Sequence, residues 1–241
     1  MTTLLFQTDS YLREFEATVT AVDDESRTVT LDQTAFYPSG GGQPHDMGTL
    51  QAGERSWPVE KVEKRNGEVV HQLGGTESLP QVGEAVQGAL DWERRYRLMR
   101  THTAMHVLCG TIWREFGAQV TGGQMYLDRA RMDFELDDLN PERVHQIEER
   151  ANAAIEAGAP VTVQILPRDE AFAIPDLIRT KINLLPPGIS EVRVVSVGEF
   201  DTQADGGTHV ADAREVGGIR VIGTRSKGKI NKRLEVELID G

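Results

Sequence analysis

The sequence of 241 residues contains a single cysteine, Cys109, which excludes an internal disulfide framework. It also lacks an apolar run long enough to cross a membrane, and its N-terminus has no basic region followed by an apolar stretch. We therefore expect a cytoplasmic protein with no membrane partner. The net charge of −12 argues against a general affinity for nucleic acid.

The basic residues are unevenly distributed, since residues 1–90 carry a net charge of −8 and residues 91–241 only −4. In the second part they form two clusters. These are Arg94, Arg95, Arg97 and Arg100, and Arg225, Lys227, Lys229, Lys232 and Arg233. On charge alone, a solvated surface is the simplest interpretation of each cluster.

The first 90 residues show β patterns and no convincing helical period. Predicted strands cover residues 16–22, 27–31, 57–64 and 68–73, with turns at Asp23-Asp24, Asn66-Gly67 and Gly74-Gly75. This pattern indicates a small β-barrel domain over residues 1–90.

Residues 91–241 mix helix and strand patterns. Apolar spacing by alternate steps of four and three predicts a helix from Leu98 to a stop at Gly117, with Cys109 as a buried thiol. A second helix is predicted between an N-cap at Asn140 and an end at Gly158. Strand patterns follow at residues 161–166, 191–197, 219–223 and 234–239. The fold class is therefore α+β, a barrel followed by an α+β domain with a sheet backed by helices.

Two pairs of possible metal ligands share one spacing, His102-x-x-x-His106 and Asp205-x-x-x-His209. Helix residues i and i+4 share a face, so both imidazoles of the first pair can point at one atom. An ordinary core histidine is the other interpretation of His102. Thr103 stands where the metalloprotease helix motif has glutamate, so a protease is not expected.

The second pair lies on two adjacent glycines, each of which costs about 1 kcal/mol in a helix interior, so a loop is expected. One helix and one loop closing on an ion would supply three histidines and Asp205. This donor set suffices for zinc, with Asp205 as a fourth ligand or as a group that orients a ligand.

Five segments together resemble a known family: FYPSGGGQPHDMGTL, DWERRYRLMRTHTAMHVLCG, GGQMYLDRARMDFEL, DTQADGGTHVAD and SKGKINKRLEVEL. The last four resemble the editing domain of alanyl-tRNA synthetase. With the first, they resemble the medium-length class of the AlaX family, the free-standing alanyl-tRNA editing proteins. The resemblance runs in order from about residue 36 to residue 238. It implies an N-terminal barrel, an editing domain over residues 91–241 and a zinc-dependent aminoacyl-tRNA deacylase.

The resemblance also assigns the zinc ligands, which would be His102, His106, Asp205 and His209. Asp205 is a departure, because the family usually has cysteine there. A carboxylate oxygen can bind zinc at about 2.0–2.2 Å but is harder than a thiolate. We therefore expect weaker metal binding, with Asp205 bound directly or through a water. A site that no longer holds metal is the alternative.

The glycine-rich string at residues 39–44 would alone be a tight turn between strands. By resemblance, its backbone groups would contact the terminal adenosine or the amino acid, and the C-terminal basic cluster would contact the tRNA acceptor end. The expected substrate-binding residues are Gly40, Gly41, Gly42, Gln43, Lys229 and Arg233. His45 is not expected to be a fifth ligand.

The expected reaction is trans-editing, the hydrolysis of serine or glycine from mischarged tRNA(Ala) while alanyl-tRNA(Ala) is spared. Zinc could polarise the ester and lower the pKa of water towards about 7. Alternatively, it could hold the amino or hydroxyl group of the substrate while another water attacks. Thr103, Gln203 and Thr208 are the candidate catalytic residues, for contact with the serine hydroxyl or the water. A polar contact to that hydroxyl would discriminate strongly against alanine.

Two other functions fit the sequence less well. The first is a tRNA-binding module that has lost catalysis through Asp205. The second is a metal-dependent hydrolase of small esters, whose glycines would hold a phosphate and whose activity would be indifferent to tRNA. The sequence leaves the oligomeric state open.

Overall fold

The computed structural model describes residues 2–183, 185 and 188–240. The chain divides into two compact units, Met1–Arg97 and Leu98–Gly241. The predicted α+β class with an N-terminal barrel is confirmed. The segment Leu184-Leu185-Pro186-Pro187-Gly188 predicts a loop, most of which lies outside the described residues. Among the described helices, none combines the length and apolar character needed to cross a membrane.

Strands are the main regular elements of the first unit. They are β1 (Thr3–Leu4), β2 (Glu14–Asp23), β3 (Thr28–Leu31), β4 (Gln33–Thr34), β5 (Gly48–Ala52), β6 (Arg55–Arg65), β7 (Glu68–Leu73) and β8 (Ala85–Leu90). Six of them close a barrel in the order β2-β3-β7-β6-β5-β8, while β1 and β4 form a parallel pair. A short 3-10 helix spans Leu5–Gln7.

The barrel closes around a core made by alternate residues of its strands. In β8, and in β2 as far as Val19, every second side chain is buried, as expected for strands with one face inward. Gly88 is required by close packing, because a Cβ there would lie 2.3 Å from the ring of Phe15. The predicted set of barrel strands was incomplete, since β5 and β8 lack a distinctive pattern.

A long helix, α1 (Trp92–Phe116), follows the barrel strands and contains the boundary between the units. It begins six residues before the predicted start, because Asp91 caps its first turn and accepts a hydrogen bond from the backbone N–H of Arg94 at 3.1 Å. It ends at Gly117, which adopts a positive φ of 63°.

The second unit adds two helices and seven strands. They are β9 (Val120–Met125), β10 (Ala130–Phe134), α2 (Pro141–Ala157), β11 (Val161–Pro167), α3 (Arg168–Phe172), β12 (Glu191–Val197), β13 (Asp201–Ala204), β14 (Gly218–Ser226) and β15 (Lys232–Ile239). A 3-10 helix spans Ala213–Val216. The strands form two antiparallel sheets, β14-β15-β10-β9 and β11-β12-β13.

The predicted ends of α2 are confirmed, since the Asn140 side chain accepts from the backbone N–H of Arg143 and Gly158 is the C-cap. Part of α1 packs closely against the start of β13. A Cβ on Gly110 would lie 2.8 Å from the ring of Phe200 and 3.2 Å from the Cβ of Asp201. A residue without a side chain therefore lets β13 approach the helix.

Candidate metal centre

The two ligand pairs predicted from the sequence come together in the second unit. His102 and His106 lie one turn apart on α1, whereas Asp205 and His209 lie in the segment that follows β13. One donor atom from each of the four residues lies within 4.8 Å of the others, and all three histidines are buried. The structure thus joins helix and loop in one cluster.

Asp205 links the imidazoles of two histidines. Its Oδ2 lies 2.9 Å from Nε2 of His209, and its Oδ1 lies 3.4 Å from Nε2 of His102. The backbone N–H of Gly207 donates to the same Oδ2 at 2.7 Å. Arg193 donates to the backbone carbonyl of Asp205 at 3.0 Å and places its guanidinium 3.7 Å from the carboxylate. The carboxylate is therefore held beside the Nε2 atoms of both rings.

Each histidine also has a partner outside the cluster. Nδ1 of His106 bonds the Asp201 carboxylate at 2.9 Å, and Nδ1 of His209 bonds the Thr103 hydroxyl at 3.2 Å. His102 bonds the backbone of Thr208. Such outer contacts fix the tautomer and orientation of histidines that bind metals.

The charge states of three of the four side chains suit a cation. Burial lowers the pKa of His102 to about 4 and that of His209 well below its usual value, so both rings are neutral at pH 7. Burial opposes the charge on Asp205, but the imidazoles of His102 and His209 hold its pKa well below the usual range. Burial likewise opposes the charge on His106, but the hydrogen bond and charge of Asp201 raise its pKa.

The cluster fits a zinc ion in its donors and its surroundings. Three imidazole nitrogens and one carboxylate oxygen match the number and type of donors in a closed tetrahedral site, or three ligands plus an orienting group. The neutral rings of His102 and His209 and the ionised carboxylate of Asp205 are forms that bind metal. His106 would bind in its neutral form, after losing the added proton that its raised pKa favours. The ion would be held by His102, His106, His209 and Asp205.

Sequence reasoning missed Asp201, Arg179 and Arg193, which surround the cluster. Asp201 is fully buried on β13, where it faces His106. No local signal identifies this contact, because the two residues are 95 positions apart.

The candidate catalytic residues all lie beside the cluster. The Thr103 hydroxyl bonds His209 and also accepts from the backbone N–H of Val210 at 3.3 Å. The Gln203 amide donates to Asp201 at 2.7 Å, and Thr208 is fully buried. Direct contact of these residues with substrate remains a prediction. The structure shows a different contact for two of them, since Thr103 bonds a ligand histidine and Gln203 bonds the carboxylate that contacts His106.

The glycine-rich string belongs to the first unit, where it forms a tight turn between β4 and β5. Gly40 and Gln43 exchange two backbone hydrogen bonds, of 3.1 and 2.9 Å. Between them Gly41 and Gly42 adopt φ values of 57° and 85°, as in the turns that favour glycine. His45, two residues after Gln43, is not part of the metal-type cluster.

The base of this turn is held by a buried ion pair. Asp46 accepts from the backbone N–H of Tyr37 at 2.7 Å and from Nε of Arg95 at 2.9 and 3.0 Å. Arg95, from the basic cluster that precedes the histidines, is fully buried and does not form a solvated surface.

Lys229 and Arg233 lie on the β14–β15 hairpin of the second unit. Lys229 is exposed in the turn. Arg233 donates to the Asp133 carboxylate from Nε at 2.6 Å and from Nη2 at 2.9 Å. Lys227 donates to the same carboxylate at 2.7 Å. The hairpin therefore retains a positive charge beyond what Asp133 neutralises.

Cys109 is buried as expected, and burial raises the pKa of its thiol to about 12. The thiolate is the nucleophilic form of cysteine, so this residue is not poised for covalent catalysis.

Two parts of the chain match known protein families. Residues 6–94 match the model of class II (A) tRNA synthetases, and residues 192–235 match that of the threonyl and alanyl tRNA synthetase second additional domain. The chain is 39% identical over 244 residues to the alanyl-tRNA editing protein AlaX-M of Methanosarcina barkeri, with both proteins covered in full.

Further similarities are to a second editing protein and to a ligase. AlaX-M of Saccharolobus solfataricus is 39% identical over 97% of this chain and 98% of its own length. The alanine–tRNA ligase of Pyrobaculum arsenaticum is 41% identical over 90% of this chain but 25% of the ligase.

Proposed function

Because this chain belongs to the family of AlaX-M alanyl-tRNA editing proteins, we propose that it deacylates tRNA(Ala) mischarged with serine or glycine and spares alanyl-tRNA(Ala). The observation that carries this proposal is the buried cluster of three histidines and Asp205, with donors within 4.8 Å of one another. A second point is negative, since the buried thiol of Cys109 offers no nucleophile.

Zinc held by the four residues would supply Lewis-acid chemistry, which polarises an ester carbonyl and lowers the pKa of water. The side chains have complementary tasks. Asp205 compensates positive charge in a buried place and holds two rings in line. Thr103 and Asp201 fix the outer nitrogens of His209 and His106, which leaves Nε2 of each ring to face inward.

Selectivity for serine over alanine requires a polar contact that serine satisfies and alanine does not. A site that hydrogen-bonds a substrate hydroxyl rejects an analogue without it by a large factor, because its own polar groups are then left unpaired. Thr103, Gln203 and Thr208 are the candidates for this contact. Gln203 is the partly exposed one of the three, so it is the first to test.

Recognition of the tRNA would use the phosphate backbone and the unpaired 3′ end. We assign the phosphate contacts to the β14–β15 hairpin, where Lys229 is exposed and Arg233 is oriented by Asp133. The backbone of the turn at Gly40, Gly41, Gly42 and Gln43 would bind the terminal adenosine or the amino acid. Phosphate contacts of this kind position a nucleic acid without reading its sequence.

The test is the rate of amino acid release from tRNA(Ala) charged with serine, glycine or alanine, with zinc-loaded and chelator-stripped protein. We expect zinc-dependent release of serine or glycine and survival of the alanyl ester. His209→Ala should abolish release, whereas His145→Ala, which changes an exposed histidine, should not. Binding of tRNA without release would favour an inactive binding module. Hydrolysis of small esters at a rate that tRNA does not change would favour a metal-dependent hydrolase of small esters.

A further inference from the structure

We propose that Asp201 is a positioning residue, which fixes the His106 imidazole in the tautomer and orientation that metal binding requires. This inference rests on the proposed metal centre and goes beyond its four ligands. Its basis is one contact, in which Oδ2 of a fully buried carboxylate lies 2.9 Å from Nδ1 of His106.

The contact determines which nitrogen of His106 carries the proton. An ionised carboxylate can only accept hydrogen bonds, so Nδ1 of the ring must be the donor. In a neutral imidazole the other nitrogen then has the free lone pair, and here that nitrogen is Nε2. The Thr103 hydroxyl beside His209 can donate or accept, so it does not impose a tautomer in this way. Asp201 is therefore the stronger determinant.

Asp201 is itself held by a hydrogen bond and an ion pair. The Gln203 amide donates to Oδ2 at 2.7 Å, and Nη2 of Arg179 lies 3.6 Å from Oδ1. The guanidinium of Arg179 in turn stacks 4.9 Å from the ring centroid of Trp113 on α1. Rotation of the carboxylate would weaken its interactions with His106, Gln203 and Arg179 together. The orientation of the ring is thus set by several packed neighbours.

The strand register explains why these groups meet. Asp201 and Gln203 are two residues apart on β13, so their side chains share one face of the sheet. On the neighbouring strand β12 they pair with Val197 and Val195, respectively. Gly110 allows this face to approach α1, because a Cβ there would press on Asp201 and its neighbour Phe200. Backbone geometry therefore presents Asp201 to His106.

The first test is zinc affinity, measured without tRNA by competition with a chromophoric chelator. Asp201→Asn has the same shape, but its amide can donate to Nδ1 and thereby favour the proton on Nε2. Loss of such an outer partner typically costs 10- to 100-fold in metal affinity, and we expect a loss in that range. Asp128→Asn, which changes an exposed carboxylate in the β9–β10 turn, is the matched control and should bind zinc as the wild type does.

The second test is the tautomer of His106 in zinc-free protein, read from long-range ¹H–¹⁵N NMR correlations. The spectra are recorded at a pH high enough for His106 to be neutral, because Asp201 raises its pKa. Under that condition we expect the proton on Nδ1 in the wild type and on Nε2 in Asp201→Asn. If Asp201 served only to stabilise the fold, its replacement would not change which nitrogen of His106 carries the proton. A wild-type ring with its proton on Nε2, or an unchanged zinc affinity in the folded variant, would overturn the inference.

The tautomer of the wild type decides the matter even if the variant does not fold. The outcome is also separable from that of the proposed function. Wild-type protein that binds zinc tightly, shows the Nδ1 tautomer and releases no serine would contradict the editing reaction while supporting the role of Asp201.

Discussion

Oδ2 of Asp205 lies 2.9 Å from Nε2 of His209, four residues further along the chain. This contact forms on a loop, where the Gly207 N–H donates to the same oxygen at 2.7 Å and turns the backbone back on itself. The family relationship leads us to expect a thiolate at this position, and the carboxylate reaches the same cluster. The following predictions test what that cluster and its surroundings do.

Two replacements of Asp205 should change zinc affinity in opposite directions. Asp205→Ala removes a donor and should weaken zinc binding by roughly 100-fold or more, since losing even an outer partner costs about 10- to 100-fold. Asp205→Cys should tighten it, because thiolate is the softer ligand. Chelator competition measures both, with Asp128→Asn as the control. Equal affinities in wild type and Asp205→Ala would show that the carboxylate does not contribute to binding.

Gly110→Ala should weaken zinc binding, although Gly110 is not one of the four proposed ligands. The new Cβ would lie 2.8 Å from Phe200 and 3.2 Å from Asp201, so β13 must move away from α1. Overpacking of this kind costs about 1–3 kcal/mol, and zinc affinity should fall with stability. Thermal unfolding and chelator competition measure the two effects. Gly223→Ala is the control, because its Cβ would meet nothing nearer than 3.8 Å. Unchanged stability and affinity would refute the tight packing at Gly110.

The barrel should lose stability in mild acid through His71. This ring is fully buried and bonds Thr34 at 2.9 Å, and burial lowers its pKa to about 4. Since an unfolded histidine titrates near 6.5, the unfolded chain binds more protons between pH 6.5 and 4. Stability therefore falls as pH falls through this window, by roughly 3 kcal/mol from this group.

The measurement for His71 is the free energy of unfolding across that range for wild type and His71→Asn. The wild type should show the steeper loss, and His145→Asn, at an exposed histidine, should follow the wild type. Parallel curves for wild type and His71→Asn would contradict the prediction.

Lys229→Ala should weaken tRNA binding without changing zinc affinity. Lys229 is exposed on the β14–β15 hairpin, and removing its interaction with one phosphate should reduce the slope of log K against log salt by about 1. Binding isotherms at several salt concentrations measure this slope. Lys61→Ala is the control, since that lysine pairs with Glu63 on the barrel. An unchanged slope would move the tRNA-binding surface away from the hairpin.

Local patterns predicted those parts of the molecule that depend on near neighbours. The spacing of Leu98, His102 and Cys109 identified α1, and the Asn140 and Gly158 signals located the ends of α2. The glycines between Asp205 and His209 indicated a loop that brings a second ligand pair to the helix. These features follow from helix periodicity, capping and backbone freedom, which act over a few residues.

Features that depend on distant residues were not predictable. The hydrogen bond of His106 with Asp201 spans 95 positions, and the burial of Arg95 depends on Asp46, 49 positions away. Strand β13 has only four residues, and its register with β12 arises from tertiary packing. A single sequence carries no signal for such pairs, because their residue types are compatible with many partners.

The most direct test of the central claim is a zinc titration of serine release. Metal-free protein is mixed with increasing zinc, and the rate of serine release from seryl-tRNA(Ala) is measured at each step. We predict a rate that rises in proportion to zinc up to one equivalent per chain and then stays constant, with no release from alanyl-tRNA(Ala). A rate of serine release that is the same without zinc would contradict a metal centre formed by His102, His106, Asp205 and His209.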